Sequence, residues 1–518
     1  MKRRLVIVLS AVLFGCLAVG AVRAASAPTT NQDARAVTPA LATNQTAKAE
    51  AHPRLTVAQQ KRLVELGGRM KQCFDEKKYD EAKSVVEEMV KIQPDSPGHW
   101  YNLACAQSRL GETAEAVKNL EIAVEKGWTG FQHLERDQDL DNVSHERGYL
   151  ALLARKDEIQ KKRAEKINED LTRQFGAGCL HTIDDEYRLV FATTTDQRTL
   201  DELRVTLTDY AEALSKDLFT HKPERYVTII IPRVWRGGQV GGFYNTESAM
   251  LQAKGFSGTV IHEFVHALHD GDASARGQEH PIWVKEGLAT LFEDSDVVDG
   301  RIVPEHNHRL NAILLRAKVD RHIPWKKFMG LQPSEFLRQP ANNYAQARYL
   351  FFYLYARERL AAWYRNYVET FPQDNTGAQA WEKTFGQPLA EIEKDWVAWL
   401  LTLNELPIRV QEGNASFGIE VRPANDGLVV AQVQADGGAA RAGLKPQDVI
   451  VRIEDRRLAD ITDIQRTLNG RQVGDRLRVE YRRGTEYQNA VVELTPAPSP
   501  FKSKPAKERE ATPKSSAD

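Results

Sequence analysis

Apolar positions change their period several times along the chain, and each change marks a segment. Over 55–165 they recur at helical spacing, and the pattern itself repeats: Ala82 and Ala116, Val86 and Leu120, and Met89 and Ala123 are each separated by 34 positions. Small residues at 82, 104 and 116 allow paired helices to approach closely. Two units and a partial third are few for a stack, so a capping helix is expected over 150–162. Over 180–405 the periods mix. The β-branched run 226–231, stopped by Pro232, predicts a strand, and glycine pairs at 237–238 and 241–242 predict turns. Helical spacing dominates from Thr259, with further helices expected over 345–359 and 389–403. Over 408–496 short alternating runs return: strands over 417–421, 427–434, 448–453 and 476–481, with a helical turn over 438–442 and a helix over 461–468. The fold class is therefore multidomain α+β, with helical repeats first, a mixed α/β domain next and a β-rich domain last.

Composition adds limits rather than detail. Hydrophobic residues make up 42% and charged residues 27% of 518 residues, at a formal net charge of -1, so no basic excess points to nucleic acid. Residues 1–24 combine a basic start (Lys2, Arg3, Arg4), an apolar stretch and small residues at the expected cleavage site, the pattern of a secretory signal peptide. They carry four positive charges and no acid, so their removal takes the charge from -1 to -5. The expectation is export to a bacterial periplasm or envelope, with ordinary cleavage preferred to lipid anchoring at Cys16, and no transmembrane span after removal. Residues 25–54 and 497–518, rich in small and polar residues, read as a flexible linker and a disordered tail. Cys73, Cys105 and Cys179 are too few for a disulfide scaffold.

The chemistry concentrates in His262-Glu263-Phe264-Val265-His266. Residues four apart share a helix face, so His262 and His266 can present two imidazoles to one ion, with Glu263 beside them to take a proton from a water. Zinc hydrolases use three protein ligands. Glu286, 20 positions after His266 on a second expected helix, is the favoured third. Asp272 is the rival, but it needs an earlier turn than His269 provides, and the first helix is expected to run past 269 and break near Gly271. His269 and His280 are expected at the surface or behind the ligands.

The two phrases together, the two-histidine helix and Trp283-Val-Lys-Glu286-Gly287-Leu288-Ala289, resemble the gluzincin (peptidase MA-like) zinc metallopeptidases. That resemblance implies Zn2+ as cofactor, His262, His266 and Glu286 as metal ligands, Glu263 as general base, and a peptide bond as the target. It also makes Tyr344 the candidate second donor to the oxyanion, because several gluzincins place a tyrosine early on a helix downstream of the glutamate. A packed tyrosine is the equal alternative. Gly241-Gly242-Phe243-Tyr244-Asn245 resembles the Gly-x-Met-Glu-Asn segment of gluzincin aminopeptidases, with Tyr244 where those enzymes carry the glutamate that binds an amino terminus. This favours internal cleavage.

The flanking segments carry resemblances of their own. Residues 55–165 resemble tetratricopeptide repeats. Residues 408–496, through Ser416-Phe417-Gly418-Ile419 and Ala440-Arg441-Ala442-Gly443-Leu444, resemble a bacterial PDZ domain, whose loop at Phe417, Gly418 and Ile419 would receive a peptide carboxylate. Gln447 stands where a glycine is usual. Protein or peptide substrates, and protein partners for the two flanking modules, are the implied ligands. The competing readings are a non-catalytic adaptor with a structural zinc, an aminopeptidase of the glycyl-aminopeptidase type, and a metal hydrolase acting on other bonds.

Overall fold

The computed structural model describes residues 55–235, 241–406, 413–424, 426–458 and 461–497. The signal segment, Cys16, the linker, the turn at 237–238 and the tail beyond 497 lie outside them. The chain forms two compact units, divided between Ile159 and Gln160.

In the first unit, Val57–Asp75, Tyr79–Ile92, Pro97–Leu110 and Thr113–Glu125 are successive packed helices. Ala82, Ala104 and Ala116 are fully buried, as are Val86 and Leu120, so the 34-residue spacing returns equivalent residues to equivalent interior places. Gly111 ends the third helix in the left-handed conformation (φ 78°) that glycine adopts at no steric cost. The expected cap over 150–162 is instead two helices, Arg147–Ala154 and Lys156–Phe175, parted at Arg155 (φ -103°, ψ 6°). The two serve different cores: Tyr149 and Leu152 pack with the repeat helices, whereas Ala164 and Leu171 pack with Val190, Ala192 and Ile230.

The second unit is built on a five-stranded sheet in the order β1-β2-β3-β5-β4. The strands are β1 Leu180–Asp184, β2 Leu189–Thr193, β3 Val227–Ile231, β4 Gly242–Asn245 and β5 Met250–Ala253. β2, β3 and β5 are parallel, while β1 and β4 run antiparallel at the two edges. β3 is buried throughout, as its unbroken β-branched run requires. Against the sheet lie the helix Gln197–Asp217 and the helix Gly258–Ala275, here the histidine helix; the glutamate helix Ile282–Phe292 and the tyrosine helix Pro340–Ala356 follow it in the same core. The histidine helix does not break at Gly271. It continues to Ala275, and Gly271 faces Pro223, where a Cβ would sit 2.8 Å from the proline Cα. This glycine serves a close approach within a helix.

Two other glycines fix the glutamate helix. A Cβ on Gly287 would meet Phe351 Cδ2 at 2.4 Å and the Ala347 carbonyl oxygen at 3.1 Å, and one on Gly258 would meet the Glu293 carbonyl oxygen at 2.4 Å. The glutamate helix thus lies tight against the tyrosine helix on one side, and its C-terminal end meets the start of the histidine helix.

The C-terminal β domain is an antiparallel sheet of Ile419–Pro423, Leu428–Val433, Val449–Ile453, Arg456–Arg457, Arg476–Arg483 and Glu486–Glu493. The last long strand lay beyond the alternating runs read from sequence. Ile419–Pro423 is an edge strand, with the helix Ile461–Leu468 beside it. Gln447 adopts φ 76° and its N–H donates to the Val430 carbonyl, so the left-handed turn forms without glycine. The domain docks on the rest of the unit through arginines: Arg198 to Glu480, Arg452 and Arg457 to Glu202, Arg456 to Asp296 and Glu305, and Arg466 to Asp294 and Glu305. None of the described helices is long and apolar enough to cross a membrane.

Because Phe351 is wholly buried where Gly287 touches it, Gly287→Ala is expected to destabilise the second unit by about 1–3 kcal/mol through overpacking. A shift of its urea midpoint to lower denaturant checks this, and an unchanged midpoint would count against the close approach.

Candidate metal centre

The histidine helix starts at Ser257, whose hydroxyl accepts from the Thr259 N–H at 3.3 Å. Val260, Ile261, Phe264, Val265 and Leu268 are buried on its core side. That fixes its rotation and turns His262, Glu263 and His266 the other way, as the motif spacing requires. The two imidazoles meet edge to face, centroids 4.7 Å apart at 83°.

Glu286 arrives from the glutamate helix. Its Oε2 lies 3.3 Å from His262 Nε2 and 3.5 Å from His266 Nε2, and the two Nε2 atoms are 3.1 Å apart. That buried Oε2 has no hydrogen-bond partner of good geometry. An ion held tetrahedrally at about 2.0–2.2 Å from N and O ligands sets those atoms roughly 3.4 Å apart. The triangle of donors therefore has the size that zinc needs, and the donor set suits it. Among the described residues this is the one group of His, Cys, Asp and Glu whose ligand atoms converge in this way.

The electrostatics agree. Burial disfavours charge on His262, but the Glu286 and Glu293 carboxylates outweigh it and raise its pKa to about 10. Burial would likewise raise Glu286, yet the two imidazoles bring it below the usual carboxylate range. The site draws positive charge.

Glu293 had no role in the sequence reading. Seven residues after Glu286, it is two turns further along the same face. Its Oε2 lies 3.1 Å from His262 Nδ1, which fixes the ring with Nε2 free to ligate, as carboxylate–histidine pairs do around metals. Arg309 Nη1 (3.2 Å) and Asn307 Nδ2 (3.1 Å) hold Glu293 in turn. The signal was present in sequence: an acid at the i+7 position from the candidate ligand Glu286.

Glu263 is held by the sheet. The Tyr244 N–H on edge strand β4 donates to Glu263 Oε2 at 2.9 Å. The Tyr244 ring packs against the core, so β4 offers no carboxylate for an amino terminus. Tyr344 lies beside Glu286, with the Arg309 guanidinium 5.8 Å from its ring centroid. Burial, reinforced by the Glu286 charge, raises its pKa, so the phenol keeps its proton at neutral pH.

The rival ligand is engaged elsewhere. Asp272 is fully buried and accepts from the His221 N–H (3.0 Å), Tyr364 Oη (2.9 Å) and Arg276 Nε (2.9 Å). His269 and His280 are neither exposed nor behind the ligands. They form a buried pair 2.7 Å apart, both driven neutral by burial, because the unbroken helix carries His269 into the core.

A family model described as a PDZ domain matches residues 415–494, and the C-terminal β domain is a PDZ domain. A second model, described as a protein of unknown function (DUF1570), matches residues 257–374, which include every residue of the candidate centre except Tyr244. No curated protein matches the chain. Among solved structures, the HtrA-type protease AlgW with a decapeptide is 27% identical over 17% of this chain and 30% of its own, at a TM-score of 0.16. The chain thus spans less than a third of that protease. An aminopeptidase N family protein from Idiomarina loihiensis is 16% identical over 62% of this chain and 67% of its own, at a TM-score of 0.30. The HtrA3 PDZ domain bound to a phage-derived ligand is 22% identical over 16% of this chain and 85% of its own, at a TM-score of 0.15.

Two substitutions separate holding a metal from orienting its ligand. Glu286→Ala is expected to abolish stoichiometric zinc uptake by the purified chain, and Glu293→Gln to weaken it by about 10–100-fold. Equal affinity in Glu293→Gln and wild type would remove the orienting role.

Proposed function

We propose that this protein is an exported zinc-dependent peptidase that hydrolyses internal peptide bonds and takes its protein substrates or partners through its flanking modules. The observation that carries the reading is the convergence of three ligand atoms beside a carboxylate that ligates nothing. His262, His266 and Glu286 would hold the ion. Bound there, zinc would polarise the scissile carbonyl and make a water acidic enough to attack near neutral pH.

The remaining steps belong to the chain. The Tyr244 amide aims Glu263, which takes the proton of the attacking water and delivers it to the leaving amine. Tyr344, kept protonated, donates a hydrogen bond where negative charge develops on the carbonyl oxygen. The lack of an acidic side chain on β4 supports internal cleavage over removal of amino-terminal residues. The N-terminal signal pattern supports export. The PDZ domain supports recognition of peptide ends, with Phe417, Gly418 and Ile419 as the receiving loop: Gly418 sits at φ 73° and its N–H donates to the Ser416 hydroxyl.

Glu263→Gln is expected to bind zinc as wild type does and to lose peptide hydrolysis by at least about 100-fold. Hydrolysis of an unstructured protein such as casein, followed beside metal content, provides the check. Full activity in this variant would dismiss Glu263 as the base, and absent hydrolysis in zinc-loaded wild type would favour an adaptor with a structural zinc. Tyr344→Phe is expected to lower kcat by about 10–1000-fold with little change in KM, as loss of an oxyanion donor does; an unchanged kcat would make Tyr344 a packing residue.

A further inference from the structure

Behind His262 the polar contacts continue in one direction, and they leave the catalytic domain. Glu293 Oε2 lies 3.1 Å from His262 Nδ1. The Asn307 amide nitrogen donates to Glu293 Oε1 at 3.1 Å and to Asp294 Oδ2 at 2.6 Å. One amide thus uses its two hydrogens on two neighbouring carboxylates. Its oxygen accepts from the Arg309 N–H at 3.0 Å, which fixes which end is the donor. Asp294 Oδ1 then meets Arg466 Nη2 at 2.7 Å.

Arg466 belongs to the PDZ domain. It lies on the helix Ile461–Leu468, which flanks the edge strand Ile419–Pro423 and forms the second wall of the groove where a peptide adds to that strand. Its Nη1 donates to Asp463 at 3.2 Å and its Nε lies 3.1 Å from Glu305, so three carboxylates surround the guanidinium. Asn307 is fully buried. Around it Glu293 and Asp294 face Arg309, Arg348 and Arg466. Without Arg466, Asp294 would keep its buried charge with one strong partner fewer and would pull harder on the Asn307 amide, at the expense of Glu293.

We propose that Arg466 is a positioning residue of the metal centre, acting on His262 through Asp294, Asn307 and Glu293, so that a wall of the PDZ peptide groove helps to hold a metal ligand. This rests on the zinc-site reading above. The alternative is that Arg466 only fastens the two domains together. Arg198 separates these cases. It pairs with Glu480 across the same interface at 2.7 and 2.6 Å, through both terminal nitrogens, and it touches no member of the chain that ends on His262.

The test measures zinc affinity of the full chain by competition with a chromophoric chelator, in wild type, Arg466→Met, Arg466→Lys and Arg198→Met. The expected result is an affinity about 3- to 10-fold weaker in Arg466→Met, below the 10–100-fold loss typical of a group directly on a ligand. Arg466→Lys should fall between it and wild type, and Arg198→Met should match wild type. For a short peptide substrate, kcat should drop in the same order with KM unchanged. Wild-type affinity in Arg466→Met overturns the proposal, as does an equal loss in Arg198→Met, which would make docking the cause. If Arg466→Met does not fold, Arg466→Lys decides by the same comparison. A wild-type chain that takes up no zinc overturns the metal-centre reading itself, and this inference with it.

Discussion

The glutamate helix can lie where it does only because two of its contacts leave no room for a Cβ. Gly287 seats it against Phe351 and the Ala347 carbonyl, and Gly258 lets the first turn of the histidine helix reach the Glu293 carbonyl. Widening either contact would move Glu286 and Glu293 together, since both ride on the same short element. Both act on His262, one at each ring nitrogen. A rigid placement of the helix therefore sets ligand spacing and ring orientation at once. The residues that make the site geometrically possible are thus largely glycines and buried aromatics with no chemistry of their own.

Charge is arranged with similar economy. The donor triangle draws positive charge, and the layer behind it is built from acids and arginines in near balance. A buried carboxylate such as Glu293 is costly unless it is paired and hydrogen-bonded. Here Arg309, Asn307 and Arg348 meet that need from three directions. Tyr344 sits where the same Arg309 passes over its ring, beside Glu286. The phenol is thereby held close to the candidate metal centre while burial keeps its proton in place.

Much of this was legible in the sequence because short-range spacing carries it. The i,i+4 histidines, the β-branched run of β3, the 34-residue recurrence of small residues and the alternating strands of the PDZ domain each reflect a local period. What escaped depended on contacts distant in sequence. The histidine helix was expected to break at Gly271, but that glycine answers to Pro223, some fifty residues away. His269 and His280 were expected at the surface or behind the ligands because polarity is all a sequence displays; in the fold His269 is buried on the histidine helix and His280 pairs with it from the segment before the glutamate helix. Glu293 was given no role, since its partner His262 lies a full helix earlier. The long helix 197–217 and the last PDZ strand lacked a motif to draw attention to them.

The PDZ domain shows how a local reading can be right about a module and incomplete about its place. Its strands follow from alternation, and its residues read as a separate unit. The arginines at 452, 456, 457 and 466 carry no such signal, for isolated charges on short strands and helices usually face water. In the folded chain they meet Glu202, Asp296, Glu305 and Asp294. Single surface pairs contribute little, but the Asp294 and Arg466 side chains are each only 14% exposed where they meet. Separating the domains would expose that carboxylate to water and leave Asp294 bonded to Asn307 but no longer held by Arg466. The packing therefore treats the PDZ domain as a wall of the unit that carries the candidate metal centre, and a ligand in its groove would rest against a helix whose other side is engaged with the layer behind His262.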